Sequence, residues 1–173
     1  MIHCQGKKPM LIDKHTLIKY NCSRLEAVLV KALVTTRRGF NLKKTLIVTN
    51  NPVVYEAYRA NSDAETFVAE IRWFDGDAEE ILVKARDLVY EGYPLISHPL
   101  PASIRMIYSP YRSVVLGADA GALDAWHTGI IEESLAKYRQ NTGHRTPDKK
   151  NAESYKWMDA QLLSVAIREF KLF

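Results

Sequence analysis

Thr45-Leu46-Ile47-Val48-Thr49-Asn50-Asn51-Pro52 sets the architecture of the chain. β-Branched and apolar side chains run unbroken from Thr45 to Thr49, the pattern of a strand buried on both faces. The following asparagines favour a turn, because their amides bond to nearby backbone. Pro52 suits the first position of a helix, where its missing N–H would have no partner. The spacing therefore predicts a strand, a tight turn and a short helix over 53–59.

Thr66–Phe74 alternates Phe67, Ala69, Ile71 and Trp73 against Val68, Glu70, Arg72 and Phe74, as a strand does. Asp77 with Glu80 has the form of a capping box, and Ile81, Leu82, Ala85, Leu88 and Val89 supply one buried helix stripe. Gly92 is a natural stop. Pro94–Ser97 reads as a short third strand and Arg112–Leu116 as a fourth. A long helix is expected over Leu123–Arg139, with Leu123, Trp126, Ile130, Ile131, Leu135 and Tyr138 on one face. A polar linker, Asn141–Asn151, then leads to a helix over Glu153–Phe170 that buries Met158, Leu162, Val165 and Ala166. Trp126 and Trp157 are expected as core anchors. Strands alternating with helices predict an α/β fold: a small, mostly parallel sheet of about four strands with helices on both faces.

Residues 1–44 differ in character. Ten basic residues face only Asp13 and Glu26 there, giving +8, so the overall +4 leaves −4 for residues 45–173. This segment is expected to be a basic N-terminal extension with one helix, marked by Leu25, Val28, Leu29, Ala32 and Leu33 between Ser23 and Gly39. Residues 45–173 form the α/β domain, including the C-terminal helix. A basic leader can touch nucleic acid or an acidic partner, or serve as a weakly structured solvated extension, the favoured reading. With a net-acidic domain and no basic–aromatic strip, nucleic acid is not an expected partner.

An apolar fraction of 47% is enough to build a core, and no apolar run reaches membrane-spanning length. Two cysteines, Cys4 and Cys22, fit a reducing compartment, and no secretory pattern opens the chain, so a cytoplasmic location is expected. Their spacing to His3 and His15 matches no zinc pattern, and neither metal nor cofactor is expected.

The densest function-like stretch is 97–113. Ser97-His98-Pro99-Leu100-Pro101-Ala102-Ser103-Ile104-Arg105 and Ser109-Pro110-Tyr111-Arg112-Ser113 carry three prolines, so the loop is long yet stiff. His98 has acid/base chemistry near neutral pH, Arg105 and Arg112 suit anions, and Ser103, Tyr111 and Ser113 offer hydroxyls. Asn50 and Asn51 lie at a strand end, where ligands of parallel sheets settle. They either orient a polar ligand or close their own turn. A phosphate loop, a GxSxG elbow and helical histidine pairs are all missing, so no catalytic residue is assigned.

In order, Leu46–Pro52, Arg86-Asp87-Leu88, His98-Pro99-Leu100 with Ser103, and Pro110-Tyr111-Arg112-Ser113 resemble the X protein encoded with glycine reductase in amino-acid-fermenting bacteria. The resemblance covers about Thr45 to Tyr138. It implies a cytoplasmic accessory protein of the glycine, sarcosine or betaine reductase system, with no established catalytic residues. Its partners would be reductase complex subunits or a small anionic metabolite. The alternative is a small enzyme acting on an anionic metabolite, with His98 as acid/base. Relative to that family's short form, this chain adds the basic leader and the 151–173 helix.

Overall fold

A computed structural model describes residues 44–59, 68–143 and 146–170. The helix expected between residues 21 and 42 lies outside the described residues. The elements are β1 (Thr45–Thr49), α1 (Pro52–Arg59), β2 (Val68–Trp73), α2 (Ala78–Tyr90), β3 (Ser113–Gly117), α3 (Ala125–Thr142) and α4 (Ala152–Phe170). All five β1 residues are buried, as an unbroken apolar run requires of a central strand.

Among the described residues the sheet has three strands in the order β2-β1-β3, and it is mixed. β1 pairs with β2 in parallel and with β3 antiparallel. This corrects the expected four-stranded, mostly parallel sheet, and both departures have a cause. Parallel neighbours need a long crossover connection, usually a helix. Residues 98–112 instead turn back through one 3-10 segment, Ile104–Tyr108, and deliver β3 in the opposite sense. Pro94–Ser97 does run beside β3, with Ile96 N–H donating to Val115 O at 2.9 Å and Gly117 N–H to Pro94 O at 2.8 Å. Only the Leu95–Leu116 bridge forms, because Pro94 has no N–H and the chain leaves after Ser97.

Alternate residues of the sheet feed two cores. Leu46, Val48, Val114 and Leu116 meet Ile81, Leu82 and Ala85 of α2 and Ile131, Leu135 and Tyr138 of α3. Ile47 and Val115 face the other way, against Val54 of α1 and Leu163, Ile167 and Phe170 of α4. Helices therefore cover both faces.

Ile131, Leu135 and Tyr138 of α3 and Val165 and Ala166 of α4 are buried as expected, while the first turns of both stripes differ. Leu123 precedes α3, whose start is fixed by Asp124 accepting from Trp126 N–H at 2.8 Å. His127, Ile131, Ser134, Leu135 and Tyr138 then point inward, leaving Leu123 and Trp126 exposed. On α4, Trp157 and Met158 are exposed while Asp159, Leu163, Val165, Ala166, Ile167 and Phe170 are buried. Neither Trp126 nor Trp157 anchors the core.

Candidate functional site

The mixed sheet brings several chain segments to one edge. Thr49 is in register with both Trp73 of β2 and Ser113 of β3, so two strand ends and one strand start meet there. Asn50 and Asn51 leave this edge, and the 97–113 loop returns to it.

Asn50 is buried and uses its whole amide. Its Nδ2 donates to Gly76 O and to Pro110 O, each at 2.8 Å, and its Oδ1 accepts from Arg112 N–H at 2.8 Å. One side chain thus pins the loops after β2 and before β3 to the end of β1. Asn51 is equally engaged. Its Oδ1 accepts from Val53 N–H at 3.0 Å, which caps α1, while Nδ2 donates to Lys156 O at 2.8 Å and to Asp159 Oδ2 at 3.0 Å.

Asp159 is the residue that sequence reasoning missed. It accepts from Ser113 through both backbone N–H (3.1 Å) and Oγ (2.6 Å), in addition to Asn51. Thr49 Oγ1 lies 2.7 Å from Ser113 Oγ and accepts from Asn51 N–H at 2.9 Å, closing a compact polar cluster. The available signal was the spacing Asp159, Leu163, Ala166 and Phe170, one acidic residue in phase with an apolar stripe.

The other predicted residues are more dispersed. Arg112 is buried, and its Nη2 donates to Met106 O at 3.0 Å, holding the 3-10 segment. His98 is half-buried, with Nδ1 accepting from Leu100 N–H at 3.1 Å. Burial pushes its imidazole below the ordinary range, and nearby Lys137 acts in the same direction. Tyr111 packs under the Lys156 ammonium, 5.4 Å from ring centre to Nζ. Ser103 precedes the 3-10 segment without a side-chain cap bond, and Arg105 is exposed. The structure thus gathers Asn50, Asn51, Arg112 and Ser113 at one edge, with His98 beside them; Arg105 stands apart on the surface.

Ser97, His98, Arg112, Ser113 and Asp159 line a cavity of only ≈ 20 Å³ together with Leu163 and Ala166, room for about one water. A larger cleft of ≈ 250 Å³ opens nearby between α2, the 3-10 segment and the end of α3. It is lined by Glu79, Tyr108, Tyr138 and Arg139, none of them expected at a site, and Arg139 Nε pairs with Glu79 Oε1 at 2.7 Å. Among the described residues no cluster of His, Cys, Asp or Glu could hold a metal ion, and no helix is long and apolar enough to cross a membrane.

Fold and site define a small α/β protein whose strand-end polar side chains bond chiefly to its own loops. The family described as GrdX-like protein matches residues 46–168, and the chain belongs to that family. The match includes nearly all of α4, which is therefore part of the family fold and not an addition to it. No curated protein and no solved structure matches the chain.

Proposed function

We propose that this chain is a cytoplasmic, non-catalytic accessory or small-ligand-binding protein of the glycine, sarcosine or betaine reductase system. Its partners would be reductase complex subunits or a small anionic metabolite. One observation carries the reading: the groups that would do chemistry at the sheet edge are committed to structure. Asn50 makes three hydrogen bonds to loop backbone, and Asp159 takes three from Asn51 and Ser113. Such an edge is a shaped surface, stiffened at low entropic cost for recognition. Family membership supports the same system.

The enzymatic alternative gains nothing from this geometry, since His98 Nδ1 faces the Leu100 amide in its own loop. Two measurements test the proposal. Deleting the gene should impair reductase-dependent growth or reductase assembly; normal growth with normal assembly would sink the accessory role. In a thermal-shift screen with glycine, betaine, acetyl phosphate and phosphate, a concentration-dependent rise in Tm supports ligand binding, and no shift with any of them removes that part.

A further inference from the structure

β2 is the terminal strand of the order β2-β1-β3, so one of its sides pairs with β1 and the other meets no strand among the described residues. Register along it is informative. Thr45 opposes Val68 but Leu46 opposes Glu70, so Ala69 is an extra, bulged residue. From Glu70 to Trp73 the strand is regular. Glu70 and Arg72 project from one face and bond to each other, Arg72 Nε to Glu70 Oε1 at 2.7 Å. Trp73 is 38% exposed, its ring 5.5 Å from that of Tyr55 on α1.

Charged side chains on an edge strand ordinarily discourage pairing. Here their order has the opposite consequence for one partner, a second copy of the same strand. Turned antiparallel about Ile71, the segment sets Glu70 opposite the second copy's Arg72 and Arg72 opposite its Glu70. Two opposite-charge cross-strand pairs form, and directly opposed charges of unlike sign stabilise antiparallel strands. The same alignment sets Ile71 against its own equivalent. Centring the axis on Glu70 or on Arg72 instead sets like charges against each other and loses both charge pairs.

We propose that the β2 edge pairs two copies of this chain antiparallel about Ile71, joining the three described strands of each into one continuous sheet. The arrangement is isologous, so each single change enters the interface twice.

Sedimentation of the full chain from low to high micromolar concentration tests this. Wild type should form a dimer. R72E and E70R, each creating two like-charge contacts, should weaken it by about tenfold or more. The double variant E70R/R72E restores both pairs with the signs exchanged, and should recover the dimer. Circular dichroism checks that each variant is folded, and backbone hydrogen exchange over Glu70–Trp73 in wild type should slow as concentration rises. A wild type that stays monomeric, a dimer indifferent to either reversal, a double variant no better than the singles, or exchange that ignores concentration would each overturn the proposal.

Discussion

Asn51 and Asp159 lie 108 residues apart in sequence and share a 3.0 Å hydrogen bond, Nδ2 to Oδ2, at the edge of the sheet. Both are buried, and through them the turn after β1 and the middle of α4 are held as one unit.

Removing that acceptor should be expensive. Asp159→Ala takes an acceptor from the Ser113 N–H, the Ser113 hydroxyl and the Asn51 amide at a largely buried position. A loss of about 2–4 kcal/mol in urea denaturation is expected. Asp159→Asn keeps the shape but exchanges one acceptor oxygen for a donor, and should cost about 1–2 kcal/mol. Wild-type stability in the alanine variant would mean that water replaces the carboxylate.

Asn50 offers a sharper comparison. Its amide nitrogen donates twice and its oxygen accepts once, so Asn50→Ala should lose about 2–3 kcal/mol. Asn50→Asp preserves the acceptor for Arg112 N–H but aims a carboxylate oxygen at the Gly76 and Pro110 carbonyls. It should be at least as damaging despite the smaller change in shape. Thermal and chemical denaturation of the two variants side by side decide it.

His98 should make stability depend on pH. Burial lowers its pKa in the folded chain below the ordinary 6.5. Between the folded value and 6.5 the unfolded chain binds more protons, so stability rises with pH in that window. The contribution is fully present above about pH 6.5, fades as pH falls, and is gone once pH passes below the folded value. His98→Asn keeps an acceptor for Leu100 N–H and removes the titration. Its stability should therefore be flatter than wild type from neutral to mildly acid pH.

Gly92 ends α2 with φ of 97°, a conformation open to glycine and strained for L-residues. A Cβ there would also run into the Gly121 carbonyl, whose own N–H donates to Gly92 O at 3.0 Å. Gly92→Ala should lower stability by about 2 kcal/mol or more, measured as a fall in Tm. Gly129, with open space around it, is the control and should accept alanine without loss.

What could be read from sequence was local. β1 announced itself by composition, and the α2 start by Asp77 and Glu80, which form both bonds of the capping box at 3.0 and 2.9 Å. Strand direction was not readable, because alternation reports burial and carries no sign; only the return through 98–112, which holds no α-helix, reveals that β3 runs backward. The phase of α4 was hidden for another reason. An aspartate takes an inward position only if distant donors await it, and Ser113 and Asn51 cannot be seen from Asp159 by periodicity. At the site, the residues at 50, 51, 112 and 113 meet at one edge of the sheet, and their commitment to backbone partners needed three dimensions to see.

The two cores also differ in when the chain can build them. Every residue of the α2–α3 side, from Leu46 to Tyr138, exists before α4 is made. Ile47, Ile96 and Val115 must wait for Leu163, Ile167 and Phe170. During N-to-C synthesis a half-covered sheet can therefore form early, with one apolar face covered only in part, by α1, until the last helix arrives. That interval is when association with the wrong surface is most probable, and it sets a kinetic demand on how quickly α4 docks.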